Sequence, residues 1–260
     1  MPIPMLPNTS DRMKTLIAAL TFFTRLPIWR LIQVDAIYYK RVVNCWSAIG
    51  WLTGGVLALT LFGAAHLFPY TVAVLMAFGA RLLLTGALHE DGLADFLDGF
   101  GGGTSPERVL AIMKDSHIGT YGVIGLILYF LMAVAVVSSL PLQLAVPMLL
   151  AGDCWSKFSA SQIVNLLPYA RTEATAKNHT VYTGMKPLTW IGSMLCGMLA
   201  LLLLPSPYQW AALPTFVASM LLIFFIKGRI KGYTGDCCGA VFLISEMVFY
   251  LTVCAIYMLT

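Results

Sequence analysis

Apolar residues in this chain recur in blocks of about twenty, the length of a membrane-crossing helix, and short polar segments separate the blocks. They fall at 43–67, 71–88, 118–139, 143–167, 187–204, 209–226 and 238–258. At about 1.5 Å per residue, each can carry a helix across about 30 Å of hydrocarbon, so the pattern predicts about seven transmembrane helices. A shorter apolar run, Leu16 to Thr24, precedes them between Arg12, Lys14 and Arg25. It ends too early for a span, and no small-residue cleavage site follows, so it reads as an N-terminal interfacial helix rather than a secretory signal.

Composition agrees with the pattern. Of 260 residues, 59% are hydrophobic and 11% charged, and the mean hydropathy is +0.82, far from the balance of a soluble domain. The fold class expected is an all-α, polytopic integral membrane bundle, a single transmembrane domain over residues 1–260. The extramembrane segments are too short to bury a core of their own. No internal repeat supports a transporter built from duplicated halves.

Charge sets the orientation. The segment before the first block and the 89–117, 168–186 and 227–236 connections hold 14 of the 16 basic residues, and the alternate connections hold none. By the positive-inside rule these four segments face the cytosol. The net charge of +4 is scattered between apolar blocks without a basic stripe, so no nucleic-acid partner is expected. The six cysteines lie mostly in apolar stretches without metal or redox spacing and read as packing residues.

Against this background, four of the 12 acidic residues, Glu90, Asp91, Asp95 and Asp98, fall within nine positions. If the stretch is helical, Asp91, Asp95 and Asp98 share one face at i, i+4 and i+7, and like charges so placed repel unless a cation sits among them. Gly99, Gly101 and Gly102 follow and permit a ligand to approach the backbone. Magnesium, which takes carboxylates, water and phosphate oxygens, suits such a set; a solvated acidic helix start is the alternative. His89 is placed to accept a proton from an attacking hydroxyl or to hydrogen-bond a loop carbonyl. Lys114 can hold a phosphate or anchor the membrane edge, and Asp115 can act beside it or cap the next helix. Asp236 opens the last block, as a helix cap or a metal ligand. Arg81, Asp153, Lys157 and Glu246 lie inside apolar blocks, where an unpaired charge costs about 2.5–3.5 kcal/mol or more, so they pair or face a polar, functional cavity.

These residues resemble one family from end to end. Phe23-Thr24-Arg25-Leu26-Pro27, Thr85-Gly86-Ala87-Leu88-His89 with Asp91-Gly92-Leu93-Ala94-Asp95 and Asp98-Gly99, Met113-Lys114-Asp115-Ser116 with Ile118-Gly119-Thr120, and Thr234-Gly235-Asp236 with Gly239-Ala240 and Glu246 are similar to the cobalamin synthases, the adenosylcobinamide-GDP ribazoletransferases. The resemblance implies a multi-pass enzyme of the bacterial cytoplasmic (inner) membrane, its active site facing the cytosol. It would use Mg2+ to join adenosylcobinamide-GDP to α-ribazole, or its 5′-phosphate, with release of GMP.

Carried onto this chain, the resemblance implies catalytic roles for His89, Asp95, Lys114 and Asp115 and metal ligation by Asp91, Asp95, Asp98 and Asp236. Gly99, Gly101, Gly102, Arg81 and Lys157 are the expected substrate and phosphate contacts. Glu90 departs from the family's usual leucine. Thr172-Glu173-Ala174-Thr175-Ala176 replaces a Gly-x-Gly element after Arg171, and Lys157 replaces an expected arginine, a point charge for a bidentate fork. Assembly is left open between monomer and homo-oligomer. A CDP-alcohol phosphotransferase is the first rival, but Asp95 stands where that motif needs arginine. A cation transporter running through Asp153, Lys157 and Arg81 is the second.

Overall fold

The computed structural model describes residues 10–170 and 181–260, and every apolar block carries a helix. After α1 (Asp11–Phe23) come α2 (Trp46–Ala64), α3 (Tyr70–Thr85), α4 (Leu88–Gly102) and α5 (Pro106–Ile112). They are followed by α6 (Thr120–Ser138), α7 (Leu142–Ser161), α8 (Pro187–Leu201), α9 (Ala212–Ile230) and α10 (Gly235–Leu259). An isolated parallel bridge joins Tyr169 and Tyr233. The protein is an all-α, multi-pass membrane bundle.

Val42–Ala64, Thr120–Ser138, Ser206–Ile230 and Gly235–Leu259 are long and apolar enough to cross a membrane, and the bent pair α3–α4 makes a fifth candidate. The two other helices in apolar blocks fall short for visible reasons. Helix α8 has 15 residues. Helix α7 carries Asp153 and Lys157 and is buried at every position from Ala151 to Ser161, so its composition is that of a core helix rather than a lipid-facing one. It packs against α2, α8 and α10. Helix α1 starts at Ser10, whose hydroxyl accepts from the Met13 amide, and buries Thr15, Ala18, Ala19 and Phe23 along one side.

The acidic stretch, expected within a connecting loop, is a regular helix. At Gly86 and Ala87 the backbone takes φ of 66° and 57°, the left-handed region that ends α3, and α4 leaves at 92° to it. The Arg25 amide donates to the Leu84 carbonyl at this break (2.6 Å). Helix α4 therefore runs across the end of the bundle, over the starts of α10 and α6, and Arg229 closes its far end by donating to the Gly103 carbonyl (2.8 Å).

Candidate active site

Where α4 crosses the start of α10, two glycines let the backbones meet. A Cβ on Gly92 would lie 3.1 Å from the Asp236 Cα, and one on Gly239 would lie 3.0 Å from the His89 carbonyl oxygen. The crossing brings Asp91 and Asp236, each in the first turn of its helix, to one cleft of about 120 Å³, together with His89 and Tyr182. Thr234 caps α10 by accepting from the Cys237 amide (3.3 Å), and its hydroxyl reaches Asp236 Oδ2 (3.3 Å). The first turn of α10 thus has a fixed direction.

The other wall is aromatic. His89 stacks on Phe23 (6.0 Å) and Trp46 (5.7 Å) and meets the edge of Phe242 (4.9 Å). It is 3% exposed, and its Nε2 has no hydrogen-bond partner among the described residues. Ring packing therefore orients this imidazole and leaves one nitrogen buried and unsatisfied at the edge of the cleft. Phe23 and Trp46 come from segments far away in sequence, and only the motif Phe23-Thr24-Arg25 hinted at the first. Tyr182 was not expected here. Its carbonyl accepts from the Tyr233 hydroxyl (3.3 Å), and the Ala170 amide donates to the Tyr233 carbonyl (2.8 Å). Both described ends of the 168–186 connection are thereby fastened beside the cleft. Arg171 and Thr172–Ala176 lie outside the described residues.

The carboxylates of α4 have three different settings. Asp91 opens into the cleft. Asp95, one turn further on, is partly exposed and is not among the cleft's lining residues. Asp98 is buried and accepts from the Gly119 amide (2.6 Å) and the Gly122 amide (2.8 Å), filling the electropositive start of α6. Glu90 is 3% exposed and turns to Arg81 (3.5 Å) rather than to Asp91. Asp98 instead borders a second cleft of about 300 Å³ with Gly102, Arg108, Asp115 and His117. In that cleft Asp115 accepts from the His117 amide (3.0 Å) and ring Nδ1 (2.7 Å). Lys114 is exposed and lines neither cleft. Gly99 and Gly101 sit within the helix against Met113 and Tyr121, so side chains already occupy the approach expected for a phosphate.

Arg81 and Lys157, the other expected phosphate contacts, are sealed inside the bundle. Arg81 donates to Glu246 (2.6 Å) and to the Tyr129 hydroxyl (3.1 Å), and Asp153 lies 3.6 Å away. The Tyr129 hydroxyl also donates to Glu246 (2.7 Å). Lys157 pairs with Asp153, donates to the Thr53 hydroxyl (2.8 Å) and lies over the Phe242 ring (4.2 Å). With 2% and 0% of their surfaces exposed, these cations neutralise carboxylates where charge is expensive. They line neither of the two clefts.

Among the described residues no three His, Cys, Asp or Glu side chains converge as a complete metal cage. Magnesium does not need one: it keeps several waters and is held through one or two carboxylates plus substrate phosphates. Asp91 and Asp236, hard oxygen donors from two helices that line one cleft, fit that mode. Asp98, with an amide on each oxygen, is built into the fold.

Comparison with known proteins follows the same lines. The family model described as cobalamin-5-phosphate synthase matches residues 15–254. A protein named adenosylcobinamide-GDP ribazoletransferase from Shewanella frigidimarina is 35% identical over 242 residues, covering 92% of this chain and 93% of its own. Those of the same name from Shewanella amazonensis and Vibrio cholerae are 37% and 32% identical, covering 90% and 94% of this chain and 92% and 94% of theirs. No solved structure matches.

Proposed function

The chain belongs to the cobalamin-5-phosphate synthase family, and from that premise we propose that the cleft of His89, Asp91 and Asp236 is where it acts as an adenosylcobinamide-GDP ribazoletransferase. The observation that carries the assignment is the α4–α10 crossing, which gathers an imidazole and two carboxylates from segments 147 residues apart, His89 to Asp236, into one cleft. A hydroxyl of α-ribazole, or of its 5′-phosphate, attacks the phosphorus that stays on cobinamide. A new P–O bond forms, the bridging P–O bond to the second phosphate breaks, and GMP leaves with the bridging oxygen.

His89 Nε2 is the acceptor for the hydroxyl proton, and stacking on Phe23 and Trp46 holds the ring while the proton is on it. Asp91 and Asp236, with Asp95 one turn further along α4, would hold Mg2+, which would supply neutralisation of the phosphate oxygens as charge moves onto GMP. The aromatic wall excludes water, which protects the diphosphate from hydrolysis. The basic connections support a cytosolic position for this end of the bundle in a bacterial inner membrane, with the seven helices of the apolar blocks as its membrane portion.

The test is GMP release from adenosylcobinamide-GDP and α-ribazole by purified protein in liposomes. Asp91→Asn is expected to lower turnover by about 100-fold or more, the scale of removing one electrostatic contact to developing charge. Unchanged turnover across a magnesium titration would refute the assignment.

A further inference from the structure

A second built site lies beside the first half of α1, apart from the aromatic wall. Between α1, the 42–45 turn that leads into α2, and α8 there is a cleft of about 520 Å³. Its polar end contains Arg12 and Arg41, neither of which has an acidic partner within ion-pair distance among the described residues. Asp11 also borders it, but accepts from the Tyr38 hydroxyl (2.9 Å). The apolar end is a stripe on α8 of Leu188, Ile191 and Leu195, 68%, 43% and 50% exposed, at the i, i+3, i+7 spacing of one helix face.

Two of the residues that line this cleft each carry a buried, unsatisfied polar atom. Ser193 is 5% exposed, and among the described residues neither its Oγ nor Asn44 Oδ1 has a partner. A buried polar group without a partner costs about 1–3 kcal/mol, so both side chains gain by turning toward a ligand's donors and acceptors in the groove. Ser193 lies six residues into α8, roughly 9 Å along it at the α-helical rise. Guanidinium groups, buried polar atoms and an exposed apolar stripe therefore share one groove.

The geometry points to a specific site for an anionic phospholipid with a hydroxyl-bearing headgroup. Arg12 and Arg41 take the phosphodiester, a headgroup hydroxyl donates to Asn44 Oδ1, the Ser193 hydroxyl donates to an ester carbonyl, and an acyl chain lies along Leu188, Ile191 and Leu195. A free phosphate would satisfy the cations and leave the stripe unused. A zwitterionic lipid would cover the stripe and bring its own cation to the guanidinium pair. The site is separate from the catalytic cleft and shares none of its lining residues.

Native mass spectrometry of the purified full-length protein, titrated with phosphatidylglycerol, with phosphatidylcholine of the same chains and with inorganic phosphate, tests this. One phosphatidylglycerol is expected to be retained in preference to phosphatidylcholine and not displaced by phosphate. Each guanidinium is worth about fivefold toward an anionic lipid, so Arg12→Gln with Arg41→Gln weakens retention about 25-fold. Leu195→Asn weakens it from the apolar end. Arg12→Gln alone, at an exposed position, repeats the test at about fivefold should the double variant fold poorly. Equal retention of the two lipids, or unchanged retention in the arginine variants, overturns the proposal. So does displacement by inorganic phosphate with Leu195→Asn silent, which assigns the groove to a free anion.

Discussion

Glu90 and Asp91 are neighbours in the chain, yet they belong to opposite regions of the molecule. Glu90 joins Arg81, Asp153, Lys157 and Glu246 in a sealed network where each charge has an opposite charge within 3.6 Å. Asp91, about 100° further around α4, faces a cleft that Asp236 also lines. The sealed region spends its electrostatics on holding α3, α7 and α10 together. The cleft keeps two carboxylates where a ligand can reach them, beside the buried ring of His89. Charge of the same kind is structural or chemical according to which side of one helix it leaves.

The largest effect expected is on the sealed side. Arg81→Met leaves Glu246 and Glu90 buried without their cation, and breaking such a pair costs about 3–5 kcal/mol. Unfolding of the detergent-purified protein should show that loss, and Arg81→Met with Glu246→Gln should recover much of it because both charges of the closest pair go together. Asp91→Asn, in contrast, should lower turnover far more than it shifts unfolding. A stable Arg81→Met protein, or an Asp91→Asn protein that unfolds early, would erase the distinction between the regions.

Asp98 sharpens it at intermediate size. An asparagine there keeps one acceptor oxygen for the Gly119 and Gly122 amides and loses the charge at the start of α6, a change of about 1–3 kcal/mol for hydrogen bonds to a charged group. Stability should fall by that amount, and turnover should fall far less than with Asp91→Asn. Were Asp98 a ligand in the reacting centre, the order would reverse.

These contrasts also mark what the sequence could show. The apolar blocks announced the helices, because a twenty-residue hydrophobic length is a local property. The carboxylate spacing announced the helical face of α4, and the Asp91–Asp236 convergence was one of the two readings open for Asp236. What could not be read was the break that aims α4. Gly86 is an ordinary C-terminal signal, but Ala87 at φ 57° is not encoded by its residue type. With that direction unknown, a face could be assigned to Asp98 but not a neighbour, and the amides of α6 turned out to be there. The stack of Phe23, Trp46, Phe242 and His89 joins positions up to 219 apart, beyond any periodicity. Arg81 and Lys157 were legible as costly charges needing an answer, and the answer came from Glu246 and Asp153 rather than from substrate.

The smallest effect expected separates the two clefts. Asp115 is exposed, and the amide and then the ring of His117 hold its carboxyl below the usual aspartate range. A depressed carboxyl stabilises the fold above its unfolded value and loses that contribution as pH falls through the folded one. The difference in unfolding midpoint between the protein and its Asp115→Asn variant should therefore be small at neutral pH and vanish on acidification below the ordinary range near about 4. A difference that persists in acid would mean that the His117 contacts do not depend on the charge. The same variant tests the placement of chemistry. Turnover should change little, since Asp115 lines the cleft of Asp98 and Arg108 rather than that of His89. A loss as deep as that of Asp91→Asn would move the reaction to the second cleft, or make the two clefts ends of one substrate path along α4.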